Sequence, residues 1–348
     1  MSTVRSNGGD PKAVRLTTAL AVGALATAFI GGCTGDAKPK AAASPSTQAT
    51  TPAATAAPTA GNPLTGLGVT PNGPVIAVKL DDTAAGRPSM GLEQADVIYI
   101  GEVEGGLTRM VAVFASGKPK VRAVRSIRAS DPELLGQYGR IIVVASGGAR
   151  RTLQVLDRSN LQSVIHDRGQ VGFSRDRSRP TPYNVVSDLA KVSAAVKAVG
   201  VRNVGFAWAS KDSRLAAAEP ATTVSTRVGS TPVGFIWDTK LARYVRIVGG
   251  QRILTVSGSP VAKPNVLVQF CQIKADPNDR DVKGNPTILT KSVGSGRVVL
   301  FRGGKRIAGS WSRRSIDAPT TYTDAARRPL LFAPGGTFVA LVRVGAPA

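Results

Sequence analysis

The chain has 348 residues, of which 45 are Lys or Arg, 22 are Asp or Glu, two are Cys and one is His. Two cysteines exclude a disulfide scaffold, and one histidine excludes a metal site built from several imidazoles. The length suits two modest domains, and the formal net charge of +23 points to a negatively charged partner without saying which one.

The first 33 residues have the order of a bacterial lipoprotein signal peptide. Residues 1–15 carry three basic groups, and residues 16–30 are an uncharged segment too short to span a bilayer comfortably. The following Gly-Gly-Cys resembles a lipobox, in which the cysteine becomes the lipidated first residue of the mature chain. We therefore expect Cys33 to anchor the protein to the extracytoplasmic face of the cell membrane. The alternative is an ordinary secretory signal with an incidental cysteine.

Residues 34–61 are rich in Ala, Thr, Pro and Ser, which predicts a disordered tether. A lipidated Cys33 would leave Cys271 without a cysteine partner. Cys271 lies in the segment 266–273, which alternates like a half-buried strand. We expect it to be a small buried apolar side chain rather than a nucleophile.

Residues 62–230 alternate between strand-like and helical patterns, which predicts an α/β (α+β) domain with a mixed sheet. A longer helix is predicted from the apolar spacing of Val185 to Val199, with Asn184 as its N-cap and Gly200 as its stop. The other predicted elements are strands at 75–80, 97–103, 107–115 and 141–145, and short helices at 91–95, 132–138 and 150–156.

Residues 231–348 change to short strands separated by turn residues, which predicts a smaller, mostly-β C-terminal domain. The Gly303-Gly304 pair stands where a hairpin would turn. The predicted strands are 233–238, 244–248, 252–256, 266–273, 297–301, 307–311 and 337–342.

Several separated motifs run through the folded region. They include NPLTGL at 62–67, RPSMGL at 87–92, VEGGLTR at 103–109, VRSIR at 124–128, FSRD at 173–176 and GSWS at 309–312. This series resembles the lipoprotein YerB-like family, which combines DUF3048 N- and C-terminal domains and has no established function. The resemblance implies a lipoprotein with two domains in the cell envelope. The chain departs from the family pattern at Ile100, where Glu is common, and at Tyr183, where His is common.

Charge is distributed unevenly along the N-terminal domain. Residues 62–117 carry three basic and six acidic side chains, whereas residues 118–180 carry thirteen basic and five acidic ones. Arg125 and Arg128 are three residues apart, and planar guanidinium groups suit bidentate capture of phosphate or carboxylate. We expect a ligand-binding cleft formed by the acidic and basic residues Glu104, Arg109, Arg125, Arg128, Asp176 and Arg179.

Two further interpretations concern the acidic residues. Asp81 and Asp82 follow the first predicted strand and are candidate ligands for a divalent cation, while no other cofactor is expected. The arginines could instead form structural ion pairs with neighbouring acids. The sequence alone leaves both readings open.

The sequence favours a membrane-anchored lipoprotein that binds an anionic envelope ligand, such as a phosphorylated glycan or a glycolipid. The alternative is an envelope transferase or hydrolase that acts on a pyrophosphate-linked glycan. No catalytic residue can be assigned, because a serine triad would need His166 and no Gly-x-Ser-x-Gly motif is present. We expect no nucleic-acid partner, because the chain has few aromatic residues for base stacking and no nucleic-acid-binding motif.

Overall fold

The computed structural model describes residues 61–197, 200–281 and 284–348. Cys33, the predicted signal peptide and the predicted tether up to residue 60 lie outside these residues. Within the described part, no helix is both long and apolar enough to cross a membrane.

The N-terminal part contains short helices between strands. Three α-helices are described, α1 at Asp131–Leu135, α2 at Arg150–Asp157 and α3 at Leu189–Ala195. The strands of this part are β1 Ile76–Asp81, β2 Val97–Glu102, β3 Thr108–Phe114, β4 Lys120–Arg122, β5 Ile142–Ala145, β6 Gln162–Ile165, β7 Phe173–Arg175, β8 Val185–Asp188 and β9 Ala207–Trp208. Its 3-10 turns are Ala84–Gly86, Leu92–Gln94, Glu104–Gly106, Gly136–Tyr138, His166–Arg168 and Ser213–Ala216.

The C-terminal part is built from strands, which confirms its predicted class. Those strands are β10 Glu219–Pro220, β11 Thr223–Val228, β12 Thr231–Asp238, β13 Arg243–Val248, β14 Gln251–Arg252, β15 Ala262–Lys263, β16 Asn265–Cys271, β17 Ile273–Arg280, β18 Pro286–Thr290, β19 Gly294–Arg302, β20 Lys305–Arg313, β21 Thr321–Asp324, β22 Leu331–Phe332 and β23 Thr337–Arg343. The β19–β20 hairpin turns at Gly303-Gly304, where both glycines have positive φ.

A mixed sheet of eleven described strands passes through both parts of the chain. Its order is β10-β20-β19-β16-β23-β2-β3-β1-β5-β6, with β21 paired to β20. Strand β23 runs parallel to both of its neighbours, β16 from the C-terminal part and β2 from the N-terminal part. The mixed sheet confirms the predicted fold class. The predicted boundary at residue 230 stays a prediction, although backbone hydrogen bonds of this sheet join the two parts.

Both faces of the sheet are covered, which explains why its central strands are apolar runs rather than alternating ones. One face packs against the smaller sheet β11-β12-β13-β14, with β15 paired to β13, through Phe235, Tyr244 and their neighbours. The other face packs against the region of α1 and α2 through Leu135, Tyr138 and Leu156. The described residues also form three small sheets, β4-β8-β7, β17-β18 and β9-β22.

The predicted helix from 185 to 199 was wrong at both ends, because α3 spans only Leu189–Ala195. Residues Val185–Asp188 form β8, which pairs with β4 and β7, and the helix begins at Leu189. The cap is Asp188 rather than Asn184, because the Asp188 carboxylate accepts a hydrogen bond from the Lys191 backbone N–H at 3.2 Å. Two β-branched residues that pair on both sides therefore override the helical spacing.

Cys271 is fully buried within β16, as predicted. Burial raises the pKa of its thiol to about 12, because a thiolate would lose its hydration in the core. The thiol is therefore protonated near neutral pH and acts as an apolar side chain.

Candidate functional site

Three central strands, β1, β2 and β3, place charged side chains at one edge of the large sheet, the edge formed by the ends of its strands. Arg109, near the start of β3, lies opposite Asp81 at the end of β1 and opposite Gly101 near the end of β2. Because β1 and β2 end where β3 begins, the turns that follow them meet at this edge. Acidic residues of these turns therefore lie beside the first basic residue of β3.

The turn between β2 and β3 is fixed by its glycines. Gly105 and Gly106 both have positive φ, a conformation that glycine adopts without a steric penalty. A Cβ at Gly106 would collide with the Ser230 side chain, and the Gly106 carbonyl accepts hydrogen bonds from the Ser230 N–H and Oγ at 2.9 Å each. This packing holds Glu104 in a buried position, 6% exposed.

Three ion pairs lie around Arg109. Arg128 binds Glu104 through Nε at 2.7 Å and Nη2 at 2.6 Å, and Arg125 Nη1 lies 3.5 Å from Asp81 Oδ2. In the third pair, Lys79 Nζ donates to Asp131 Oδ1 at 2.7 Å, and both residues are buried. Burial lowers the pKa of Lys79, and the attraction of Asp131 opposes that shift.

Arg109 is the fourth cation of this group and has no carboxylate of its own. Within the described residues it forms no hydrogen bond or ion pair, and its buried Nη1 has no partner. Burial lowers the pKa of Arg109 to about 10, and the charges of Arg128 and Arg125 lower it further, against the attraction of Glu104 and Asp81. The side chain is still charged at neutral pH, so the cluster carries one uncompensated positive charge.

A narrow cleft lies between the sheet edge, α1 and β18. Of the charged residues, Lys79, Glu102, Arg109, Arg128 and Asp131 line it. The cleft holds about 20 Å³ of free space, which is room for about one water molecule. Its lining includes Arg109, Arg128, Asp131, Thr290 and Ser292. A single oxygen atom of a ligand fits this space, while a larger group would remain at the mouth.

Arg125 also contacts an aromatic ring. The Arg125 guanidinium lies 5.0 Å from the centre of the Tyr183 ring, which is a cation–π distance. Tyr183 is one of the two positions at which the chain departs from the family pattern. The other, Ile100, is fully buried in the core of the sheet.

The structure brings together four of the six predicted ligand residues, Glu104, Arg109, Arg125 and Arg128. Asp176 instead accepts a hydrogen bond from Arg122 Nη1 at 2.7 Å. Arg179 donates to the backbone oxygens of Ala85 and Arg87 at 2.9 and 2.6 Å. Neither has a hydrogen bond or an ion pair with the four within the described residues. Their part in ligand binding stays a prediction.

The carboxylates of Asp81 and Asp82 both face guanidinium groups. Asp82 Oδ2 accepts hydrogen bonds from Arg246 Nη2 at 3.0 Å and from Thr108 Oγ1 at 2.9 Å, and Asp81 pairs with Arg125. Within the described part, no group of three or more His, Cys, Asp or Glu side chains could hold a metal ion. These surroundings favour ion pairing over the coordination of a divalent cation.

Sequence reasoning missed the residues that support the arginines. Lys79 lies in the middle of a buried strand, and a lysine at the centre of an apolar run is a signal that a buried acid must pair with it. The ion pair of Glu102 with Arg343 of β23, at 2.8 Å, was also missed. No local pattern indicated that pair, because its members are far apart in the sequence.

A mixed sheet shared by the two parts of the chain, with an arginine cluster at its edge, defines a two-part α+β fold. The family model for the N-terminal domain of the protein of unknown function DUF3048 matches residues 64–202, and the C-terminal domain model matches residues 222–339. The chain belongs to this family, as its motifs predicted.

A relative in Bacillus subtilis (strain 168) carries the name "Putative lipoprotein YerB". It is 28% identical over 267 residues, which are 72% of this chain and 77% of the relative. The crystal structure of YerB protein from Bacillus subtilis has the same fold, with a TM-score of 0.68 and 22% identity. That match covers 82% of this chain and 98% of the solved one. The chain is therefore homologous to a named lipoprotein whose activity is not established.

Proposed function

We propose that this protein is a lipoprotein, anchored through Cys33 to the extracytoplasmic face of the cell membrane, that binds an anionic envelope ligand. The ligand class is a phosphorylated glycan or a glycolipid, held by the cluster of Arg109, Arg125 and Arg128. The homology to a named lipoprotein and the lipobox-like sequence support the anchoring.

The uncompensated charge of Arg109 is the observation that carries this proposal. Desolvating a guanidinium without a partner costs free energy, and structural arginines usually recover it from carboxylates or carbonyl oxygens. Lys79, Arg125 and Arg128 each have a carboxylate, so one anionic oxygen at Arg109 would balance the group. The cleft has space for one such oxygen.

A phosphoryl group suits this geometry because its oxygens diverge from one centre. One oxygen would enter the cleft at Arg109, while the others would stay at the mouth near Arg125 and Arg128. Charge-assisted hydrogen bonds from guanidinium groups to phosphate are among the stronger polar contacts in proteins.

No observation favours the enzymatic alternative. Glu104 already accepts two bonds from Arg128, and Asp82 accepts bonds from Arg246 and Thr108. Each of these carboxylates is therefore already ion-paired in this arrangement.

The proposal is tested by calorimetry of inorganic pyrophosphate binding to the detergent-solubilised full-length chain. A second experiment measures binding of the chain to vesicles that contain a phosphorylated glycolipid. Arg109→Met should weaken binding about 10- to 100-fold, because a charged hydrogen bond contributes about 1.5–3 kcal/mol. The matched control is Arg168→Met, which removes one positive charge from an exposed pair with Asp157. Equal affinities for Arg109→Met and the unaltered chain would contradict the proposal.

A further inference from the structure

We infer that the protein has a second anion site, a buried site for one halide-sized anion such as chloride, between the large sheet and the smaller sheet. We call it the inner pocket and define it by Arg87, Ser89 and Arg246, with Asp81 and Asp82 beside them. It is separate from the cleft at Arg109, with which it shares no lining residue.

The inner pocket is lined by hydrogen-bond donors that have no acceptor. Arg246 is 3% exposed, and its Nε and Nη1 are both buried without a partner, while its Nη2 binds Asp82. Arg87 Nε and Ser89 Oγ are also buried without a partner. Four unpartnered polar atoms on three residues of one pocket are unusual, because most buried polar groups in folded proteins are hydrogen-bonded.

The size of the pocket restricts what can fill it. It holds about 10 Å³ of free space, enough for a single water-sized group. A tetrahedral oxyanion such as phosphate or sulfate is too large for this space, whereas a halide is a single atom. Leu92, Met110 and Phe338 form much of the remaining wall and exclude bulk water.

The nearby charges favour an anion over a cation. The carboxylates of Asp81 and Asp82 are already engaged by Arg125 and Arg246. Next to the pocket, two further guanidinium groups bind the main chain, since Arg179 donates to the Arg87 oxygen and Arg122 donates to the Pro88 oxygen at 2.9 Å. Both of these arginines also have a buried Nε without a partner. Positive charge and free donors therefore exceed the free acceptors around this pocket.

A water molecule is the competing occupant of the pocket, and it differs from a halide in the hydrogen bonds that it must make. Water accepts two hydrogen bonds and must donate two of its own, whereas a halide only accepts and can take all four. The unpartnered groups of the pocket are three guanidinium nitrogens and a hydroxyl, which can rotate to donate, while the lining carboxylates of Asp81 and Asp82 are already ion-paired. An acceptor-only ion satisfies this set more completely.

The test measures thermal unfolding of the detergent-solubilised full-length chain in chloride, bromide, sulfate and gluconate salts at one fixed ionic strength. The unfolding midpoint should rise and saturate with chloride and with bromide, but not with sulfate or gluconate. Ser89→Ala should weaken the apparent halide affinity roughly three- to tenfold, because it removes one neutral donor. The matched control Arg252→Met removes an exposed charge on β14 and should leave the halide response unchanged.

Arg246→Met should abolish the saturable rise of the unfolding midpoint with halide. If Arg246→Met does not fold, the halide affinity of Ser89→Ala provides the test. An anomalous bromide peak in the pocket of bromide-soaked crystals would support the inference directly. The inference would be overturned by equal shifts of the unfolding midpoint in all four salts, or by the same halide affinity for Ser89→Ala and the unaltered chain. It would also be overturned if bromide-soaked crystals showed a water molecule and no anomalous peak in the pocket. Arg109→Met should keep the halide response while it loses pyrophosphate binding, so the two sites can fail independently.

Discussion

Arg313 and Arg109 are both arginines with buried guanidinium atoms, but their surroundings differ completely. Arg313 is 2% exposed, and it donates to the backbone oxygens of Ala318, Leu134, Glu133 and Ile316 and to Ser292 Oγ. Arg109 makes no such bond within the described residues. The first side chain ties β20 to α1 and to neighbouring turns, whereas the second lines the narrow cleft.

The difference shows how a structural arginine can be told from a ligand-binding one. Burial lowers the pKa of both side chains, so the pKa direction alone does not separate them. The hydrogen-bond partners do separate them, because a guanidinium enclosed by carbonyl oxygens has already recovered its lost hydration. Three variants test this contrast.

The largest effect is expected for Arg313→Met. The change removes the Arg313 donor from four backbone oxygens and one hydroxyl, of which the Leu134 oxygen still accepts from Gln137 Nε2. Each unsatisfied buried group costs about 1–3 kcal/mol before relaxation. We expect the free energy of unfolding to fall by about 3–5 kcal/mol in urea denaturation. A loss below about 1 kcal/mol would show that the carbonyl cage is not what stabilises this region.

Lys263 is an intermediate case, and it should give a pH-dependent effect. It is 4% exposed and donates to the Glu93 backbone oxygen at 3.0 Å, and burial lowers its pKa to about 8 against the attraction of Asp96. Between pH 8 and its ordinary value of 10.5, the unfolded chain binds the proton that the folded chain has released, so stability should rise with pH there.

The size of that rise is about 3 kcal/mol at most, from 1.36 kcal/mol for each pKa unit. Urea denaturation of the unaltered chain and of Lys263→Met at pH 8, 9 and 10 measures it. The difference between the two curves should grow with pH, since other groups titrate equally in both. Parallel curves would mean that Lys263 keeps its ordinary pKa.

The smallest effect on stability is expected for Arg109→Met. The change removes a guanidinium that has no partner and leaves no acceptor unsatisfied, so the free energy of unfolding should stay within about 1 kcal/mol of the unaltered value. The same urea measurement without added anion checks this. A loss as large as that of Arg313→Met would place Arg109 among the structural arginines.

The strands of the large sheet could be predicted from the sequence because their burial leaves long apolar runs. The predicted strand at 97–103 matches β2 within one residue, and the predicted strand at 141–145 matches β5 equally well. At Val185, apolar spacing alone does not distinguish a helix from a strand. Valines spaced for a helix also fit a strand, and pairing with β4 decides between them only after folding.

The arginine cluster could be predicted in part. The spacing of Arg125 and Arg128 indicated a site, and the structure places these residues near Arg109 at one edge of the sheet. The separation of Asp176 and Arg179 from the cluster could not be predicted, because it depends on where the segment after β7 crosses the turn at Ala85. The lack of a partner for Arg109 is likewise a property of tertiary packing.

The position of β23 has a consequence for how this chain folds. It pairs with β2 more than two hundred residues earlier, and β16 completes its other side. Such distant pairing raises the contact order, which slows folding because a large loop must close before its contacts are formed. Strand β3 can pair early with β1 and β2, whereas the other edge of β2 stays unpaired until β23 is available. A folding helper or an early collapse of β1, β2 and β3 would protect the chain during that interval.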